Sequence, residues 1–211
     1  MHEGKKIFEY ACTDSATVAV YDAAAHHYAA KYESMGARVD DITRGFELCD
    51  SSEQPFVVEI GCGNGREAAL ICGRTDNYIG VDVSASMLEI AREKVPGANF
   101  VLSDVMTYDF PSDIDVVFAF ASLLHLPKES MQHVFLNVTE ALRAGGVFYV
   151  SLKQRLIYTD SYETDDYGER HFYYYNLATL TEITPSALRV VYHDEQHYGN
   201  DDWITLAFKK I

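Results

Sequence analysis

Residues 55–70 read PFVVEIGCGNGREAAL. An apolar run, interrupted only by Glu59, enters three glycines at alternate positions, Gly61, Gly63 and Gly65, and leaves into a helical pattern. A short continuous apolar run bounded by glycine is how a strand buried on both faces reads. Glycine removes side chains where something must lie against the main chain, and it tolerates positive φ. The loop therefore predicts a ligand over the C-terminal end of this strand, at the crevice where an open doubly wound sheet reverses its strand order. Dinucleotides, phosphates and adenosyl compounds are the generic candidates.

The pattern repeats outward from this loop. FVVEI, YIGVD, NFVL, IDVVFAF and GVFYVSL read as strands buried on both faces, separated by the helical stretches GREAALICGR, SASMLEIAREKV and KESMQHVFLNVTEALRAGG. In the last of these Met131, Val134, Phe135, Val138 and Leu142 form one stripe, and Gly145-Gly146 are expected to stop the helix. Strands alternating with helices predict an α/β, Rossmann-like doubly wound sheet with right-handed crossovers. LRVVYHDEQ and WITLAFKK, joined by HYGNDD, have hairpin spacing, so the seven-stranded sheet is mostly parallel with an antiparallel C-terminal strand. Upstream, Tyr21, Ala25, Tyr28, Tyr32 and Met35 stripe one helix over 15–35, and Val39, Ile42, Phe46 and Cys49 a second. The expectation is a single domain over 1–211, with a helical cap at 1–54 and a core at 55–211.

Composition narrows the function. The 211-residue chain carries 17 Lys and Arg against 32 Asp and Glu, a formal net charge of −15. Such a surface repels phosphate backbones and anionic lipids, and the pairs Lys5-Lys6 and Lys209-Lys210 form no basic patch. Neither a nucleic-acid nor a membrane partner is expected. Four cysteines without CxxC spacing point to reduced thiols, and MHEGKKIFEY has no signal-peptide core, so a cytoplasmic location is expected.

Spacing then sorts the ligand candidates. A dinucleotide fingerprint needs GxGxxG, but Arg66 stands at its last glycine, and no GK[ST] follows as a phosphate loop requires. What remains is Glu59 two residues before GxGxG, which resembles motif I of the class I S-adenosylmethionine-dependent methyltransferases. GVDVS at 80–84, VLSDVMTYDF at 101–110 and FAFASLLHLP at 118–127 agree with that family, and the last is similar to small-molecule enzymes of the quinone-biosynthesis type. The resemblance implies that Asp82 accepts hydrogen bonds from the ribose hydroxyls, that Asp104 meets the adenine amine, and that Glu59 organises the loop below the methionine end. It further assigns Gly61, Cys62, Gly63, Gly65, Val83, Met87, Val105, Phe120 and Ala121 to the cofactor. S-adenosylmethionine offers diol and amine donors and no phosphate, so carboxylates at neighbouring strand tips suit it.

Methyl transfer from a sulfonium is an in-line displacement, needing alignment and a dry pocket, and a base only for an acceptor of high pKa. Residues 21–28 also resemble the family's YD-x-x-A-x-x-Y pattern, which implies that Tyr21 and Tyr28 close over the methionine moiety. Residues 161–180 lie beside the expected site, where Tyr167, Arg170, His171, Phe172 and Tyr174 are candidates to line an acceptor pocket. His125, Arg170 and His171 are the catalytic candidates, and His26-His27, His193 and His197 are spaced for no metal site. The resulting expectation is methyl transfer to a small-molecule acceptor, releasing S-adenosylhomocysteine. A protein-directed methyltransferase, a non-catalytic adenosyl-binding module and a nicotinamide oxidoreductase are the alternatives, and the oligomeric state is not encoded legibly.

Overall fold

A computed structural model describes residues 12–50 and 53–211. Lys5-Lys6 and the MHEGKKIFEY segment lie outside the described residues. Among these residues no helix is long and apolar enough to cross a membrane.

The core alternates β1 (Val57–Ile60), α4 (Arg66–Ile71), β2 (Tyr78–Asp82), α5 (Ala85–Lys94), β3 (Asn99–Leu102), β4 (Ile114–Phe120), α6 (Lys128–Ala141) and β5 (Leu142–Gln154). After an inserted hairpin, β6 (Thr159–Asp165) and β7 (Gly168–Tyr174), come α7 (Leu177–Ile183), β8 (Leu188–Tyr198) and β9 (Asp201–Lys210). The main sheet has the order β3-β2-β1-β4-β5-β9-β8, in which β9 runs antiparallel to both neighbours and the pairings from β3 to β5 are parallel. The expected seven-stranded, mostly parallel sheet is therefore present. Strand order reverses between β1 and β4, which opens a crevice above their C-terminal ends.

Every residue of β1 and β4 is buried, because helices cover both faces. On one face Met131, Val134, Phe135 and Val138 of α6 pack on Val58, Val117 and Phe148. On the other, Ile42, Ile71, Leu88 and Ala91 pack on Val116, Phe118 and Tyr149. Ile42 belongs to the cap helix α3 (Val39–Leu48), and Gly45 of the same helix lies so close to the sheet that a Cβ there would meet the Phe118 ring at 2.4 Å. Glycine within a helix costs about 1 kcal/mol. Close docking on Phe118 is the reason it stands here.

Four expectations about elements change. The single helix over 15–35 is two, α1 (Ser15–Ala23) and α2 (Ala25–Ser34), broken at Ala24 with φ −112 and ψ 21. Backbone bonds run through the break, from Ala24 N to Val20 O and from Tyr28 N to Ala24 O. No proline or glycine marks it; the break lets the cap bend over α5, where Asp22 accepts from Ser84 Oγ at 2.6 Å and Ser86 N at 3.1 Å. Gly145-Gly146 do not stop α6, which ends at Ala141; Leu142 is already extended and pairs with Ile114. The two glycines instead belong to the irregular start of β5, where Gly146 lies too close to the Ile114 carbonyl for a side chain. Residues 159–174, which the sequence pattern left without an assigned element, form a two-stranded sheet of their own. Finally, β8 and β9 run on to a two-residue turn at Gly199-Asn200, which carries the hairpin tip past the sheet.

Candidate active site

A cavity of about 850 Å³ lies over the C-terminal ends of the parallel strands. A second, smaller one of about 280 Å³ sits outside, between the α1–α2 junction and α5.

The floor of the large cavity is the glycine loop, and its three glycines have different causes. At Gly61 (φ +70) a Cβ would lie 2.1 Å from the Ser122 Cβ, so what approaches the backbone here is the chain after β4. Ser122 Oγ donates to Ile60 O at 2.7 Å and fastens the two strand tips together. Gly65 begins α4 against Ala91 of α5, facing away from the cavity. Only Gly63 (φ +52) meets open space, and its amide donates to Asp82 Oδ2 at 2.8 Å. The ligand argument made for the whole loop thus holds in this strict form at Gly63 alone.

Asp82 ends β2. Its Oδ1 accepts from Ser84 N at 2.9 Å, so two backbone amides orient the carboxylate at the cavity wall. Burial raises its pKa, while the bonds from Ser84 and Gly63 oppose that rise. A carboxylate has about four acceptor positions. Two are spent on these amides, which leaves two for hydroxyl donors from a ligand.

Of the other residues assigned to the cofactor, Tyr21, Gly61, Cys62, Val83, Met87, Val105, Phe120 and Ala121 line the same cavity. Three more, besides Gly65, do not. Asp104 is replaced in the wall by its neighbours Ser103 and Val105, and its carboxylate accepts from Thr13 N at 3.0 Å and Met106 N at 2.8 Å. Glu59 is buried beneath the loop, where Tyr78 donates to its Oε2 at 2.6 Å. Burial, and then the nearby Glu67, hold its carboxyl well above the usual range. Tyr28 is buried and donates to Asp165 at 2.7 Å. Tyr32, one turn further along α2, takes its expected place in the wall.

The catalytic candidates separate in the same way. Along β7 burial alternates, with Arg170, Phe172 and Tyr174 buried and His171 and Tyr173 less so. Arg170 and Phe172 line the cavity; Tyr174, Tyr167 and His171 do not. The His171 ring instead stacks on Tyr162 at 4.1 Å and bonds Asp160 at 2.7 Å on the outer side of the hairpin. Its main chain still matters: its carbonyl accepts from His125 Nδ1 at 2.6 Å and its amide donates to Thr17 Oγ1 at 3.0 Å. With Nδ1 donating to a carbonyl, neutral His125 is left with Nε2 as an acceptor, and the Tyr21 hydroxyl stands 3.0 Å from it. Arg170 Nη1 donates to the Tyr21 oxygen at 3.3 Å and Nη2 to Asp165 at 2.8 Å. Burial pushes the His125 pKa down to about 4, and the charges of Arg170 and Lys153 push the same way.

Sequence reasoning missed Lys153 and Glu163. Lys153 is buried on β5 and reaches Glu163 of β6 at 2.7 and 3.0 Å and Asp201 of β9 at 3.0 Å. It ties the two hairpins that wall the far side of the cavity. No local pattern announced it, because its partners lie 10 and 48 residues away.

The comparisons agree with this geometry. Residues 57–146 match the methyltransferase domain family. The matched span runs from β1 to the first turn of β5 and includes the glycine loop, Asp82 and His125. Outside it, sequence likeness is partial. A trans-aconitate 2-methyltransferase of Afipia carboxidovorans is 35% identical over 102 residues, covering 47% of this chain and 39% of the relative. One from Rhodopseudomonas palustris strain BisB18 is 37% identical over the same shares. The chain therefore spans about two fifths of the length of the relatives it matches. Among solved structures, an S-adenosylmethionine-dependent methyltransferase of Clostridium acetobutylicum superposes with a TM-score of 0.71 at 16% identity, over 90% of this chain and 98% of that one. DhpI bound to S-adenosylhomocysteine gives 0.68 at 21%, over 92% and 95%. At such identities the likeness establishes the fold.

Proposed function

We propose that the protein is an S-adenosylmethionine-dependent methyltransferase with a small-molecule acceptor. The observation that carries this reading is Asp82, oriented by the Gly63 and Ser84 amides at the tip of β2 with acceptor capacity to spare. A ribose diol matches that capacity, while a pyrophosphate, being an acceptor, would meet a carboxylate where it needs donors. Tyr21, Tyr32 and Phe120 supply aromatic faces suited to a sulfonium. When bound, S-adenosylmethionine supplies an electrophilic methyl; the chain's own residues bind it, exclude water and align the acceptor.

The β6–β7 hairpin walls the cavity without filling it, which supports a catalytic reading over a non-catalytic adenosyl-binding module. A small-molecule site commonly spans about 300–1,000 Å³, and 850 Å³ leaves room for two partners. The names of the trans-aconitate relatives also favour a small acceptor over a protein. A cytoplasmic location fits the reduced cysteines and the absence of a membrane-spanning helix among the described residues.

Titration calorimetry against S-adenosylmethionine, S-adenosylhomocysteine and NAD tests the assignment. Binding of both adenosyl compounds is expected, and binding of NAD alone overturns it.

A further inference from the structure

The wall of the cavity contains groups that in other settings abstract protons, and each is already engaged. His125 is the only histidine among the described residues that line it. Its Nδ1 is held on the His171 carbonyl, its Nε2 faces the Tyr21 hydroxyl, and only 6% of the residue is exposed. Glu163 is clamped by Lys153 and by the Tyr174 hydroxyl, and Asp201 by the same lysine. Asp41 takes the Tyr149 hydroxyl and two arginines, and Glu67 is paired with Arg66. Asp82 holds the glycine loop. A general base must be within reach of the proton it takes and matched to it in pKa. Among the described residues, none of these groups is free to take the proton of an alcohol.

Two cations stand near His125, Arg170 paired with Asp165 and Lys153 with Glu163 and Asp201. Arg170 and Lys153, both buried in the cavity wall, depress its protonation, and their effect exceeds the opposing one of Glu163. Arg170 also retains, among the described residues, a buried Nε without a hydrogen-bond partner, while the rings of Tyr21, Tyr28 and Phe172 hold its guanidinium 4.8 to 5.4 Å from their centroids. A guanidinium fixed by aromatic neighbours is pre-organised for an oxyanion.

We propose that the acceptor is an ionised carboxylate, bound beside Arg170, and that it is methylated with no general base. This rests on the donor assignment above. A carboxylate oxygen forms the new C–O bond as the methyl C–S bond breaks, and the bonding pair stays on sulfur. One negative and one positive charge become a neutral ester and a neutral thioether, and no proton moves. A dry cavity favours a step that annihilates charge. Because the carboxylate loses charge as it reacts, Arg170 contributes to binding and alignment, so its removal acts on KM more than on kcat.

The protein is incubated with methyl-labelled S-adenosylmethionine and a panel of two- to six-carbon mono-, di- and tricarboxylic acids, with matched alcohols, amines and thiols. The expected product is a methyl ester, recognised because alkali releases its label as methanol. Its rate should stay flat from pH 8 down to pH 5.5, where an acceptor needing a base would lose turnover. Arg170→Met should raise KM for the acid at least tenfold, with kcat within threefold and the calorimetric Kd for S-adenosylhomocysteine unchanged; Arg170→Lys should recover part of it. Calorimetry with the best acid and S-adenosylhomocysteine gives the same comparison without turnover. Alkali-stable label on an alcohol, amine or thiol overturns the carboxylate proposal and leaves the donor assignment standing, as does failure of every acid to accept label. Failure to bind either adenosyl compound overturns the donor assignment itself.

Discussion

The two halves of the cavity are built by opposite means. The half under the glycine loop is held by bonds between strand-tip side chains and main chain: Gly63 N on Asp82, Ser84 N on Asp82, Ser122 Oγ on Ile60 O. The half under the cap and hairpins is held by bonds from side chain to side chain, with Tyr21 on His125, Arg170 on Asp165, and Lys153 on Glu163 and Asp201. The first half is built on strand tips whose positions the sheet fixes. In the second, exchange of a few side chains alters what is accepted without disturbing the fold. The same sheet can carry many acceptor specificities for this reason.

Substitutions can break or sharpen that contrast. The largest effect is expected at Gly61→Ala, which puts a Cβ into Ser122 at positive φ. Roughly 3–4 kcal/mol should be lost from the urea unfolding free energy, combining left-handed strain and overpacking. An unchanged midpoint would mean that the β1 and β4 tips are not locked together.

Asp82→Ala should weaken donor binding about 100-fold in calorimetry, as loss of two charge-assisted hydrogen bonds implies. Next comes a pH effect in the other half. Folded His125 titrates at about 4, below its ordinary 6.5. The unfolded chain therefore binds the extra proton between these values, and stability falls as pH drops from 6.5 toward 4, by up to about 3 kcal/mol. Urea unfolding of the wild type and His125→Asn at pH 7 and pH 5 checks it, the variant losing this part of the dependence.

Lys153→Met leaves Glu163 and Asp201 without their cation. About 2 kcal/mol of stability should go, discounted because Glu163 is a third exposed, and acceptor KM should rise while donor affinity holds. The smallest effect is Thr17→Val, which removes the acceptor for His171 N and should cost about 1 kcal/mol. If Lys153→Met weakened the donor as much as Asp82→Ala does, the division into halves would be wrong.

How much was legible follows the same line. The strands and the sheet class could be read because they depend on local periodicity, while Asp82 came into view through the resemblance of GVDVS to the family. Arg170 and Phe172 were also in view, as candidates in the segment expected beside the site. The alternating burial of GERHFYY separates His171 from them, and it shows only once the segment is known to be a strand. Tyr28 and Tyr32 share a stripe on α2, and nothing local says which one meets the cavity. The turn of the cap over α5, set by Asp22 on Ser84, decides it.

Sequence by itself determined the alternation of buried strands and helices, the bend at the glycines and the acid at the end of β2, because φ preferences and hydrophobic period act over a few residues. Tertiary structure alone decided that Gly61 is filled by Ser122, that Glu59 meets Tyr78 under the loop, and that Lys153 joins two hairpins. Those contacts bring together residues 10 to 62 positions apart, and they exist only once the sheet has fixed the directions in which their side chains leave the backbone.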